Sequence, residues 1–353
     1  MGIQGNRGKL GPDPAKMFRR MARNDFPGGI NIRDFVMGGV SMKRLHFIWA
    51  TILGLLVAAG GSPLSWPAQQ SAPGTVPVST VVSVEAKHGK DIPVVSREDV
   101  RVLQGKNQLR VTDWVPLQGN QSGLELFVLI DDASSMSVAS QLEDMRRFMN
   151  AQPSTTAIAV GYMQNGTVRM VQNFTKDHSQ AGKALRMPLG SGAGGAGPYL
   201  SITDAIKRWP ASNASHEIIL ISDGTDPLQP GPMDSYLDQA VEQAQRTGTQ
   251  IYAIYASHAD HFGHTLWRIS QGQNNLSQLT DETGGEAYFQ GFETPIAFAP
   301  FLDQIADRLN HQYKLTFLAI PDKKPSYQHV KLETELPNAE LVTADKVYVP
   351  AAK

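Results

Sequence analysis

Cysteine is missing from this chain altogether. Its absence excludes disulfides, thiolate zinc sites, iron–sulfur clusters, thiol catalysis and a lipid-modified cysteine anchor, and it is compatible with export. Net charge is nearly missing as well. The 32 Lys/Arg and 33 Asp/Glu leave −1, which argues against a general nucleic-acid binder. The Gly-rich stretch Gly190 to Gly197 lacks the Lys-Ser/Thr of a phosphate-binding Walker loop and reads as a flexible loop. No G-x-S-x-G elbow offers a serine nucleophile.

What is present suits a globular protein. The chain has 353 residues, 41% hydrophobic and 18% charged, enough for one large domain with a smaller one, or two to three compact units. Charge is unevenly spread: residues 1–44 hold nine Lys/Arg against three Asp/Glu, so the remainder carries −7.

The segment Met42 to Ser62 has a basic start, an apolar stretch at residues 45–59 and small residues after it, the three parts of a secretory signal. Its apolar part is 15 residues, shorter than the roughly 20 that cross a bilayer comfortably. Residues 42–61 therefore read as a cleaved signal, with an uncleaved membrane anchor as the alternative. Residues 1–41 read as a non-globular extension or a mis-assigned start upstream of Met42. The expected address is periplasmic or extracellular.

Residues 62–75 are rich in Pro, Ser and Gln and read as a linker. Alternating Val and polar residues over 76–118, broken by "HGKD" and "QGKN", predict a small antiparallel β-rich leader. The pattern then changes. "LELFVLI" from Leu124, "HEIILIS" from His216 and "TQIYAIYA" from Thr249 are continuous apolar runs, the mark of strands buried on both faces. Helical segments are expected near 138–152, 176–187, 200–209, 233–248, 271–283 and 296–312. Asn165-Gly166 between two apolar runs predicts a two-residue hairpin. Strands alternating with helices over 123–312 imply a mostly parallel, Rossmann-like α/β sheet with one antiparallel edge strand. After Gln312 the chain returns to β-type sequence through residue 350.

In such a sheet, ligands bind beyond the carboxyl ends of the parallel strands. Two acidic loops fall there: "DDASSMS" (Asp131 to Ser137) and "SDGTD" (Ser222 to Asp226). Carboxylates and hydroxyls on converging loops are oxygen donors suited to a hard cation such as Mg²⁺.

Strand, D-x-S-x-S-M, a Gly-rich turn bearing Thr, then strand-S-D-G resembles the von Willebrand factor type A domain and its metal-ion-dependent adhesion site. "VSVEAKHGKDIPVVSREDVRVLQGKNQLRVTDW", "LSQLTDETGGEAYF" and "QYKLTFLA" followed by "VYVP" resemble the leader, the core and the closing β segment of the secreted bacterial "VWFA-related" proteins. The resemblance spans about residues 78–350. It implies a type A core flanked by a β-sandwich-like unit, made by the leader and by the tail at 313–350. It also implies binding of a protein or peptide partner, without catalysis, at the rim of residues 131–137, 190–201 and 223–231. Rim residues are then Asp131, Asp132, Ser134, Ser135, Ser201, Asp223, Thr225 and Asp226, and the metal positions retained are Asp131, Ser135 and Asp223. Two positions depart from the pattern: Ala133 and Leu200 stand where hydroxyl ligands belong. Any divalent cation should therefore bind weakly, and metal-independent recognition is the expectation.

Two other classes of function compete. A metal-dependent hydrolase would use Asp131, Asp223 and the trio His258, His261 and His264, whose spacing suits zinc. A structural role in a cell-envelope complex would put the contacts on the β-rich unit instead. Trp114, Trp209 and Trp267 are expected in the packing of the folded chain.

Overall fold

The structure, a computed structural model, describes residues 74–117, 123–193, 197–231, 233–259 and 265–352. The extension, the signal segment, residues 62–73 of the linker, His261 and His264 lie outside the described residues.

In chain order the elements begin with β1 (Val76–Ala86), β2 (Arg101–Gln104), β3 (Asn107–Leu109) and β4 (Val111–Pro116). The core runs through β5 (Leu124–Asp131), α1 (Leu142–Ala151), β6 (Ala157–Gln164), β7 (Thr167–Thr175), α2 (His178–Lys183), α3 (Pro198–Lys207) and β8 (Ser215–Ser222). It continues with α4 (Ser235–Thr247), β9 (Gln250–Tyr255), α5 (Leu266–Thr283), β10 (Ala287–Tyr288) and α6 (Ala299–Leu309). The tail supplies β11 (Gln312–Ala319), β12 (Ser326–His329), β13 (Lys331–Glu333), β14 (Ala339–Val342) and β15 (Lys346–Val349).

The core sheet has the order β10-β9-β8-β5-β6-β7. All its neighbours pair in parallel except β6 and β7, which form the antiparallel edge. The apolar runs explain the burial. Leu126, Val128 and Ile130 of β5 pack on one face with Met145 of α1 and Ile305 of α6. Phe127 and Leu129 pack on the other, with Ile202 of α3, Val241 of α4 and Leu276 of α5. Each such side chain contributes roughly 1.5–3 kcal/mol on burial. A run that is apolar at every position is therefore what a strand covered on both sides requires.

Local signals set the ends of the elements. Asn165 and Gly166 both have positive φ, 50° and 72°, matching the twist of the β6–β7 hairpin. Asp234 caps α4, its Oδ1 accepting from the N–H groups of Tyr236 and Leu237, and Gly248 stops the helix at φ 69°. α5 starts five residues earlier than the apolar pattern predicts, because the Thr265 hydroxyl accepts from the Arg268 N–H and caps it there. α2 is shorter than predicted, a six-residue turn capped by Asp177.

Only part of the leader pairs with itself, and the rest pairs with the tail. β1 lies between β11 and β14 in a four-stranded sheet of order β14-β1-β11-β4, its residues Val76 to Ser83 aligned with Ala319 to Gln312. β2 and β3 form a hairpin completed by β13. The long strand β11 runs alongside β1 over eight residues, and the shorter β14 covers its far end. Val82, Val102, Leu315 and Phe317 thus share one core, with Trp114 stacked on Tyr313 at 4.4 Å. Leader and tail make one β-rich unit.

This unit meets the base of the core sheet through buried polar groups. Gln312 Nε2 donates to Glu217 Oε1 at 3.1 Å, Gln250 Oε1 at 2.8 Å and the Tyr252 hydroxyl at 3.1 Å. Burial pushes the Glu217 carboxyl well above its ordinary range. Arg308 of α6 pairs with Glu85 of β1 at 2.8 Å and with Glu286 before β10. Among the described residues, no helix is long and apolar enough to cross a membrane.

Candidate functional site at the carboxyl edge

β5 and β8 are neighbours at the point where the strand order reverses, so their two acidic loops emerge side by side. Asp131 is 2% exposed. Its Oδ1 accepts from the Ala133 N–H at 2.8 Å and its Oδ2 from the Ser222 hydroxyl at 3.1 Å. Burial, then the nearby Asp223 carboxylate, push Asp131 up to about 7. Asp223 is 3% exposed, and Thr225 holds both its oxygens at 2.9 Å through the hydroxyl, with the Thr225 N–H also on Oδ1.

Asp132 is fully buried and turned to the other side of the loop. Arg186 grips it as a fork, at 2.6 and 2.7 Å, and Gln164 and the Leu189 N–H complete its shell. Burial alone would raise this carboxyl, but the guanidinium and the other donors hold it below the usual range.

The remaining predicted positions are mostly turned inward. Ser134 is buried, and its hydroxyl has no hydrogen-bond partner among the described residues. The Ser135 hydroxyl accepts from the Ser137 N–H at 3.3 Å and caps a short turn at Met136–Gln141. Ser201 is fully buried, its hydroxyl donating to the carbonyls of Gly197 at 3.0 Å and Thr167 at 3.2 Å. Its one hydrogen is thus directed into the core. Asp226 accepts from the Leu228 N–H at 2.7 Å with Oδ1, while its Oδ2 is buried without a partner among the described residues.

The two departures from the metal pattern have structural causes. Ala133 is fully buried, and its carbonyl accepts from the Ala259 N–H at 3.0 Å. The Ser135 N–H in turn donates to the Ser257 carbonyl at 2.8 Å, and Ser134 bridges His258. The segment after β9 is thus laid across the first acidic loop as an extra pairing. Leu200 packs over the hairpin turn, where a Cβ on Gly166 would touch it at 3.2 Å, and Leu228 closes the same contact.

Those residues do not fit a resident cation. The carboxylates of Asp131 and Asp223 are taken up by internal donors, Ser135 serves as a cap, and two hydroxyl positions are apolar. Among the described residues, no group of three or more His, Cys, Asp or Glu stands together in a way that could hold a metal ion. Nor does a catalytic relay appear at the rim. Ser212, His216 and Glu125 meet at the opposite end, where one ring nitrogen, Nε2, faces both the serine at 3.3 Å and the carboxylate at 3.5 Å. A relay needs the serine and the acid on different nitrogens.

Sequence reasoning missed what the edge exposes. Met136 is 61% exposed, Trp267 60% and Leu228 47%, and Leu189, Met233 and Phe292 are exposed too. Met136, Leu228, Met233 and Phe292 follow the carboxyl ends of strands, Trp267 is in the first turn of α5, and Leu189 is on the loop between α2 and α3. Trp267 was expected in the packing; it stands in that first turn on the solvent side, and Ile269 is the residue turned inward. Nothing in the sequence marks Arg186 as the partner of Asp132, since the two are 54 positions apart. Asp234 carried a readable signal, as an acid followed by Ser at the start of a helical pattern.

No protein-family model and no curated protein matches the chain. Among solved structures it is similar to a von Willebrand factor type A protein from Catenulispora acidiphila, at 11% identity and TM-score 0.41, covering 81% of this chain and 76% of that one. It is also similar to BatB from Bacteroides thetaiotaomicron, at 10% identity and TM-score 0.36, covering 53% and 97%. A third is proximal thread matrix protein 1 from the mussel byssus, described with a zinc-occupied adhesion-site motif, at 14% identity and TM-score 0.37, covering 55% and 47%. With its six-stranded order, one antiparallel edge and paired acidic loops beside the switch point, the core of this chain is a von Willebrand factor type A fold.

Proposed function

We propose that this chain is an exported, non-catalytic binding module whose protein or peptide partner docks on the carboxyl edge without a resident metal. Its adhesion site is degenerate in this reading. The observation that carries it is the inversion of the rim: the acids are buried and internally bonded, while Met136, Leu228 and Trp267 face solvent. Exposed apolar side chains in a contiguous region commonly mark an interaction surface. Export is supported by the signal-like segment at residues 42–61.

The test is recovery of a partner from the native envelope by the full chain, in chelator and in Mg²⁺, alongside a Leu228→Asp/Trp267→Asp variant. Equal recovery in both buffers with loss in the variant supports the reading. Loss of the partner in chelator would refute metal independence. Stoichiometric zinc in the purified chain would instead favour a metal-dependent hydrolase.

A further inference from the structure

We infer that the chain has a further binding site, for a small hydroxylated molecule bearing a carboxylate or a phosphate. It lies at the amino end of β9, opposite the proposed docking edge. A cavity of about 200 Å³ opens there, walled by the start of β1, the last turn of α4, Thr283 at the end of α5, and β15. It therefore sits where the β-rich unit meets the core. A cavity of about 150 Å³ admits benzene, so this one has room for a single substituted ring.

Two cations reach the cavity from different elements. Along β15, Val347 and Val349 pack into the β-rich core, so Lys346 and Tyr348 take the other face, toward the end of α4. The Arg246 guanidinium of α4 lies over the Tyr348 ring at 5.3 Å, and Tyr327 meets that ring edge-on at 5.5 Å. Arg246 is exposed and Lys346 half-buried, and among the described residues neither forms an ion pair. No Asp or Glu lines the cavity among the described residues. Asp345, next to Lys346, pairs with His329 at 3.2 Å, and Glu282, next to Thr283, accepts from Gln278 at 3.0 Å. Glu242 is one turn before Arg246 on α4 and makes no ion pair with it.

Two cations facing one cavity attract an oxyanion and offer it charged N–H donors. The carboxyl end of α4 opposes them with about half a negative charge, less than either cation alone. The wall hydroxyls decide the rest of the ligand. Thr247 donates to the Gln243 carbonyl at 3.0 Å and Thr283 to the Leu279 carbonyl at 2.8 Å. These two have no hydrogen left for an anion, so Arg246 and Lys346 carry its recognition. Thr247 is exposed, and its oxygen keeps lone pairs that accept from a hydroxyl of the ligand.

The experiment is calorimetric titration of the full chain with glucuronate and with glucose 6-phosphate, beside glucose as the neutral counterpart. At least one of the two anions should bind saturably, and glucose should not. Raising the salt concentration should weaken the binding, a readout that needs no variant to fold. Arg246→Gln and Lys346→Gln should each lower the affinity by roughly tenfold, the loss expected when one charged contact is removed. Binding of one anion and not the other supports the site and names its acid group. No saturable binding of either anion overturns the inference. Glucose binding as well as the anions, or anion binding unchanged in both Gln variants, overturns it too. Both variants leave the carboxyl edge intact, so the outcome is independent of the docking reading.

Discussion

Charged side chains are buried at both ends of the six-stranded sheet, and the two ends treat them differently. At the base, Arg308 lies between Glu85 and Glu286, and the Gln312 amide bridges Glu217, Gln250 and Tyr252. Groups from the core and from the β-rich unit complete one another there. At the carboxyl edge, Asp131 and Asp223 are neighbours of the same sign, and Asp226 and Asp234 each keep an oxygen without a donor. A charge set that closes on itself holds two layers together. A set left open internally has something to gain from an incoming group. The base thus reads as the join of the two layers, and the edge as the face proposed for binding.

The largest expected effect lies at the base. Arg308→Ala strands two carboxylates, and we expect a loss of about 3–5 kcal/mol in chemical denaturation. A loss no larger than that of an exposed ion pair would show that the join does not depend on this arginine.

Next in size is the backbone contact that fixes the second acidic loop. Gly224 has φ +74°, and a Cβ there would collide with the Gly272 carbonyl and with Leu276 of α5. Gly224→Ala should cost about 2–4 kcal/mol, from left-handed strain plus overpacking. An unchanged denaturation midpoint would contradict the close approach of α5.

The third effect is one of pH. The folded value of Asp131, about 7, lies above its ordinary 3.8, so the native chain keeps a proton that the unfolded chain releases between them. Stability is then greatest below the lower value and is lost as pH rises through the upper one. Asp131→Asn should flatten this decline and stabilise the protein at pH 8 by on the order of 1–3 kcal/mol. Destabilisation at pH 8 would mean that the carboxylate is held ionised by a partner charge. At the base, Glu217→Gln tests the same sign with less room to relax.

The core was legible because its strands announce themselves. β5, β8 and β9 are uninterrupted apolar runs, and Asn165-Gly166 is a turn with one favoured geometry. The β-rich unit was legible as alternation and, through the family resemblance, as a joining of leader and tail, but not as individual pairings. β12 and β14, "SYQH" and "AELV", are too short to show a period, and β1 finds its partners more than 200 positions away. At the site, the motif located the loops correctly in the fold, but side-chain direction was not readable. Ser201 looked like a spare hydroxyl and is instead bonded back to Gly197, four residues earlier on its own helix. The cover over Ala133 comes from Ala259, a pairing no local pattern encodes.

The smallest expected effect is on stability at the exposed crown. Met136→Ser with Leu228→Ser should shift unfolding by less than about 1 kcal/mol, as exposed substitutions do, while weakening partner binding. A large destabilisation would place these side chains in the core and remove them from any docking face.

In the proposed reading, the acids of the carboxyl edge serve recognition without a resident cation. Calorimetric titration of the purified chain with Mg²⁺ and Mn²⁺ tests it most directly. No saturable binding is expected up to millimolar concentrations, in the unaltered chain and in Asp223→Ala alike. A saturable isotherm that disappears in Asp223→Ala would contradict it.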